Sequence, residues 1–395
     1  MTNGIGKKTV RDIDVARRRV LVRADLNVPM ENGLITDDTR IRESLPTIQY
    51  LLDQGASVIV CSHLGRPKGV DPELSLAPVA GRMSNLIGEE VLFAEDCVGP
   101  LAERAAASMG HHVLLLENLR FHAEEEKNDP EFASQLASLA DVFVNDAFGA
   151  AHRAHASTEG VTHFLPSVAG FLMEKEVRYL SALVANPPKP FAAVVGGAKV
   201  STKLPAIDHL LPKLDMLLLG GGMANTFLKA TGVDVQMSLV EDEQVEAARN
   251  VLDRARDAGL PVQLPVDVVA ASKFAEDAEA LTRGVNEVPR GYMVLDIGPK
   301  TVEAYAKALK SARAVIWNGP MGVFEMKKFS HGSFGLARAI ANLDATTVVG
   351  GGETAAVVAQ AGLHDRFTHV STGGGASLEM LEGRELPGVA ALMDA

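Results

Sequence analysis

The chain predicts an α/β protein of two Rossmann-like, three-layer (αβα) domains with parallel sheets, joined by a hinge helix. Three observations carry this. Short apolar runs without polar alternation recur between helical stretches, as in parallel strands covered on both faces. At 395 residues the chain exceeds one ordinary core. The stretch Asn186-Pro-Pro-Lys-Pro190 cannot continue a helix and reads as an extended connector.

The strands follow in order. Apolar runs at 20–22, 58–60, 113–116 and 142–144 exit into Arg23-Ala-Asp25-Leu-Asn27, Cys61-Ser-His63-Leu-Gly65-Arg66, Glu117-Asn-Leu-Arg120 and Asn145-Asp146, the last continuing to His152-Arg153-Ala-His155. Runs at 194–195, 217–219, 316–317, 348–349 and 369–370 exit instead into Gly196-Gly-Ala-Lys199, Gly220-Gly-Gly222, Asn318-Gly-Pro-Met-Gly322, Gly350-Gly-Gly-Glu353-Thr354 and Ser371-Thr-Gly-Gly-Gly375. Leu172, Glu176, Leu180 and Leu183 have helical spacing, which predicts a helix over 172–185. The expected organisation is 1–170 as a first domain, 171–186 as a linking helix and hinge, and 187–378 as a second domain.

Composition removes several classes. A net charge of −12 disfavours nonspecific nucleic-acid or anionic-membrane binding. It leaves room for a small anion in a local pocket. The two cysteines, Cys61 and Cys97, have no metal-ligand spacing and read as small buried hydrophobes. The first eight residues lack a signal peptide's apolar core, and no apolar run approaches the roughly 18 residues of a membrane span. The expectation is a cytoplasmic protein.

Ligands of parallel sheets sit at the carboxyl ends of the strands. In the first half Arg23, His63, Arg66, Arg120 and Arg153 stand at or beyond such ends, and Arg40 follows in Thr36-Asp-Asp-Thr-Arg40. Guanidinium groups bind phosphate and carboxylate in a planar fork, and converging like charges call for an anion. Each could instead pair with a nearby acid: Asp25, Asp37, Asp38, Glu117 and Asp146 are at hand. In the second half the glycine turns offer backbone N–H groups at helix starts. None is a Walker loop, and Gly350-Gly-Gly352-Glu-Thr-Ala355 is only a loose dinucleotide fingerprint. Lys199 and Lys203, four apart, would share a face in the first turns of a helix, where an anion would relieve their conflict with the dipole. Glu325 reads as a ribose or metal ligand, and Glu353 and Thr354 as oxygen ligands on the Mg²⁺ side.

In this order the motifs resemble the phosphoglycerate kinase family. They are Val22-Arg-Ala-Asp-Leu-Asn-Val-Pro29, Ser62-His-Leu-Gly-Arg-Pro67, Glu117-Asn-Leu-Arg-Phe121, Asn145-Asp-Ala-Phe-Gly-Ala-Ala-His-Arg-Ala-His155, Gly196-Gly-Ala-Lys199, Trp317-Asn-Gly-Pro-Met-Gly-Val-Phe-Glu325, Gly350-Gly-Gly-Glu-Thr354 and Ser371-Thr-Gly-Gly-Gly-Ala376. The resemblance implies reversible phosphoryl transfer from 1,3-bisphosphoglycerate to ADP, giving 3-phosphoglycerate and ATP, with Mg²⁺ accompanying the nucleotide and a monomeric state. It implies that Asp25, Asn27, Arg40, His63, Leu64, Gly65, Arg66, Arg120 and Arg153 bind the acid. Gly197, Ala198, Lys203, Gly220, Gly221, Leu295, Asn318, Pro320, Gly322, Val323, Glu325, Gly351, Gly352, Glu353 and Thr354 would bind the nucleotide. Arg40, Lys199, Lys203 and Gly374 would be catalytic, and 379–395 would return to the first domain. The family usually carries Asp at the position of Glu353, so a contact to Mg²⁺ through water is an alternative to direct coordination.

Two other readings compete. A two-domain NAD-dependent dehydrogenase would need a better glycine fingerprint and an acid ending the next strand. A non-catalytic phosphosugar-binding protein would have no use for Lys199 and Lys203. An assay with 3-phosphoglycerate and MgATP, following ADP, separates all three.

Overall fold

The computed structural model describes residues 5–395. Residues 1–4 of the amino-terminal stretch read above lie outside the described part. The chain divides into two compact units, Met1–Arg178 with Glu385–Ala395, and Tyr179–Arg384. The boundary falls within the helix Phe171–Ala185, which covers the stretch where helical spacing was read.

The first unit is built on β1 (Arg19–Arg23), the short pair β2 (Met30–Glu31) and β3 (Leu34–Ile35), β4 (Ser57–Cys61), β5 (Val91–Ala94), β6 (Val113–Leu116), β7 (Val142–Asn145) and β8 (Ser167–Ala169). Six of these form one parallel sheet in the order β5-β6-β4-β1-β7-β8. The two-residue side-chain period splits its core between both faces. Val20, Val22, Val58 and Val60 pack into one apolar cluster, and Leu21, Ile59, Leu114 and Phe143 into another. Cys61 and Cys97 are fully buried in the second cluster, with free thiols.

The second unit continues with β9 (Phe191–Val195), β10 (Met216–Leu219), β11 (Val262–Gln263), β12 (Asp267–Ala271), β13 (Ala280–Gly284), β14 (Met293–Ile297), β15 (Ala314–Asn318), β16 (Thr346–Gly350) and β17 (His369–Val370). Its parallel sheet has the order β11-β10-β9-β15-β16-β17. The remaining strands, β13-β12-β14, form an antiparallel sheet. No strand was expected there: β13 is mostly exposed and lacks an apolar run, whereas β12 and β14 do carry one and were legible.

Each parallel sheet brings its strand exits to a common level. Arg23 lies beside Cys61 and Asn145, and Asn318 beside Val195 and Gly350. These exits carry the chemistry read from the sequence.

Candidate functional site

The first unit gathers charge at its strand exits. Arg40 stands in the first turn of the helix Thr39–Asp53 and pairs with the buried Asp25. Burial alone would raise that carboxyl, but the Arg40 and Arg23 guanidinium groups and the Asn27 N–H outweigh it and hold it below the usual carboxylate range. Asn27 Oδ1 accepts the Gly65 N–H at 2.8 Å, tying the first exit to the second. Asn118, a turn residue outside the expected set, clamps the same loop. Its Oδ1 accepts the Leu64 N–H at 3.2 Å and its Nδ2 donates to Leu64 O at 2.8 Å. Arg120 Nη1 donates to Gly65 O at 2.8 Å, and its Nε lies 3.1 Å from Glu126 Oε1 without hydrogen-bond geometry. Arg153 Nε donates to His152 Nε2 at 3.1 Å.

His63 is 7% exposed. Its ring is held well below its ordinary pKa, first by burial and then by Arg23, with Asp25 opposing. His155 is pushed down to about 4 by burial and the surrounding arginines. Both rings are therefore neutral near pH 7, and the cationic field comes from guanidinium groups.

The acids divide between the two fates open to them. Asp25 pairs with Arg40, while Asp38 pairs with Arg42 and Arg82. Glu117 accepts the Leu76 and Asn118 N–H groups, and Asp146 those of Leu172 and Met173. Arg66, exposed, and Arg153 have no ion pair among the described residues. Arg23 departs from the expected pattern. It is 1% exposed at the end of β1 and donates to Ser157, Ala24 and His63. It lies inside the unit because β1 continues one residue past its apolar run, turning that side chain into the core.

In the second unit, glycines let chain segments nearly touch. Gly319 has φ +96°, and a Cβ there would lie 2.2 Å from Gly196 O. Gly197 N–H donates to Pro320 O at 2.8 Å across this contact. Beside it opens a groove of about 450 Å³. Of the expected nucleotide residues, Gly197, Ala198, Gly221, Leu295, Pro320, Gly322, Val323, Glu325 and Glu353 line it. Leu239, Phe274 and Met293 also line it and were not foreseen. Leu239 and Phe274 are strongly exposed, and an isolated apolar residue in a loop gives no periodic signal.

Gly220, Gly351 and Gly374 precede the helices Gly221–Ala230, Gly352–Gln360 and Gly375–Leu381, so three of the five glycine exits open helices. The exit at Gly196 does not. Lys199 sits in an exposed loop and Lys203 immediately precedes the helix Leu204–Leu210. The expected shared helical face is thus corrected: Pro205, which lacks an N–H, is tolerated only in a first turn and fixes the start at Leu204. Lys203 Nζ instead donates to Asn318 Oδ1, and burial pulls its ammonium pKa down against Glu353 and Glu382. Asn318 Nδ2 is buried without a protein partner among the described residues. Thr354 Oγ1 accepts the Gly319 N–H at 2.7 Å, bracing the turn.

The family model described as "Phosphoglycerate kinase" matches residues 10–384. The chain belongs to the phosphoglycerate kinase family. A phosphoglycerate kinase of Moorella thermoacetica is 58% identical over 392 residues, covering 99% of this chain and 100% of that protein. A cytosolic phosphoglycerate kinase of Triticum aestivum is 56% identical over 393 residues, with 98% of each chain covered. The solved phosphoglycerate kinase of Coxiella burnetii superposes with a TM-score of 0.87 at 43% identity, over 98% of each chain. The protein is therefore a kinase of glycolysis, exchanging a phosphoryl group between 1,3-bisphosphoglycerate and ADP. The dehydrogenase and binding-protein readings are not favoured. Among the described residues no helix is long and apolar enough to cross a membrane.

Proposed function

We propose that phosphoglycerate kinase activity is divided between the two units: the first holds the acid and the second the nucleotide. The acid would be gripped by Asp25, Asn27, Arg40, His63, Arg66, Arg120 and Arg153, with the loop at Leu64 and Gly65. The nucleotide would lie in the groove of Gly197, Ala198, Gly221, Leu295, Pro320, Gly322, Val323 and Glu325, beside Gly220, Lys203, Asn318 and residues 351–354. The observation that carries this is the contrast in chemistry: guanidinium groups crowd one set of strand exits, and an apolar, glycine-walled groove opens at the other.

The acceptor oxygen belongs to a carboxylate already ionised near neutral pH, so no general base is needed. Catalysis then rests on positioning and charge stabilisation. Arg40 and Lys199 would neutralise the transferring phosphoryl, close to Gly374, and Lys203 would hold nucleotide phosphates. Arg66, Arg120, Arg153 and His63 would hold the remote phosphate. Glu353, exposed in the first turn of its helix and lining the groove, offers the oxygen donor that a hard cation takes. Its extra methylene suits a contact to Mg²⁺ through water. A Mg²⁺ ion held there would supply charge neutralisation at the nucleotide phosphates. The protein would work as a cytoplasmic monomer, in keeping with a relative described as cytosolic.

Arg66 gives the cleanest test, since it forms no ion pair among the described residues. Arg66→Met is expected to weaken 3-phosphoglycerate binding at least tenfold, about the worth of one charge-assisted hydrogen bond, and to leave MgADP binding unchanged in calorimetric titration. Unchanged affinity for the acid would reject the assignment.

A further inference from the structure

Behind His63 runs a buried polar chain that the roles above do not use. Arg23 Nη2 lies 3.1 Å from His63 Nδ1, Nε donates to Ser157 Oγ at 2.8 Å, and Nη1 donates to Ala24 O at 2.5 Å. Ser157 in turn donates to Glu125, from Oγ to Oε1 at 2.5 Å and from its backbone N–H to Oε2 at 2.9 Å. Glu125 is fully buried, so a guanidinium and a carboxyl group face each other across one hydroxyl inside the unit.

The guanidinium sets the chemistry of the ring. It has five N–H donors and no acceptor. The nitrogen facing it must therefore offer a lone pair, which leaves the single ring proton on Nε2. We infer that Arg23 is a positioning residue for the acid substrate: it fixes His63 as a neutral imidazole whose Nε2–H donates to the bound anion, with Ser157 and Glu125 holding the guanidinium in register. This rests on the reading of His63 as a ligand of the acid. Arg23, Asp25, Arg40 and Arg120 are the charged groups that face the ring, and three of the four oppose its protonation together with burial. A donor kept neutral in this way does not change its charge across the interval in which free histidine titrates.

The first measurement uses the unsubstituted protein. Nitrogen NMR of the His63 ring near pH 6.5, with signals assigned by their loss in His63→Leu, is expected to show a protonated Nε2 and a bare Nδ1. A proton on Nδ1, or on both nitrogens, would overturn the inference. The second uses Arg23→Met combined with Glu125→Gln, which removes both buried charges together. It is expected to raise KM for 3-phosphoglycerate about tenfold, with KM for MgATP unchanged. The ratio to the unsubstituted enzyme is expected to grow from about pH 6 to about pH 8, as the released imidazole loses its proton and its fixed orientation. A ratio that is constant with pH is what a merely structural Arg23 gives, and it would also overturn the inference. His63→Leu separates the two levels. Unchanged KM for the acid would sink both the ligand role and its positioning. A raised KM with a constant ratio in the double variant would sink the positioning alone.

Discussion

Arg40 and Asp25 pair two opposite charges where the proposed site would take one anion. The carboxylate pairs with Arg40 and is itself kept ionised by the guanidinium groups around it. An incoming phosphoryl group would compete with that carboxylate for the same guanidinium. Arg40→Ala is therefore expected to lower kcat by roughly 10²–10³-fold, as for loss of one preorganised donor, with a much smaller change in KM for 3-phosphoglycerate. Steady-state kinetics in both directions checks this, and an unchanged kcat rejects it. Glu353→Ala should raise the Mg²⁺ concentration for half-maximal activity by about tenfold, read from a metal titration at fixed nucleotide. The sequence displayed Arg23 and Arg66 alike, as arginines at or beyond the end of an apolar run. Only the fold separated them, one buried against Ser157 and His63 and the other exposed. Leu239 and Phe274 could not be singled out at all, because their value to the groove comes from neighbours distant in sequence.

Local rules decided where several elements begin. Pro205 set the start of the helix after Lys203, and Asn32-Gly33, both with positive φ, turned β2 into β3. Asn-Gly between short apolar runs is the strongest local hairpin signal, so this turn is legible in the sequence. Asp296, at the end of β14, was not legible. It accepts the Ile297 N–H at 2.9 Å and the Gly332 N–H at 2.7 Å, joining the strand to the first turn of the helix His331–Ala341. Burial, against these two hydrogen bonds, raises its pKa from 3.8 to about 8. The native state then keeps a proton that the unfolded chain releases, so this carboxyl's stabilising contribution is full below about pH 4 and is lost as pH rises toward 8. Urea unfolding followed from pH 5 to pH 8 should show stability falling at up to about 1.4 kcal/mol per pH unit from this group. Asp296→Asn should flatten that slope, and a slope equal to the unsubstituted protein's would refute the attribution.

The carboxyl-terminal segment Glu385–Ala395 belongs to the first unit although it follows the second in the chain. Its hold there is specific. Gly388 N–H donates to Ala151 O at 2.9 Å and Gly388 O accepts from Asn145 Nδ2 at 3.0 Å. Lys7 Nζ donates to Ala390 O at 2.8 Å and Leu392 O at 2.9 Å. A chain ending at residue 384 loses several hydrogen bonds at about 1 kcal/mol each. At about 2–4 °C per kcal/mol for a domain of this size, the first unit's melting temperature should fall by roughly 10 °C. Calorimetry that left this transition in place would show the segment to be dispensable.

The sequence by itself determined the α/β class, the parallel strands and the family, because apolar runs and the motifs at their ends are local and ordered along the chain. Tertiary structure alone decided which arginine is buried, which acid pairs with which base, which loop residues wall the groove and where Asp296 finds its donors. Those are distances between residues far apart in sequence, and the low dielectric and close packing that give them their energies exist only once the chain has folded.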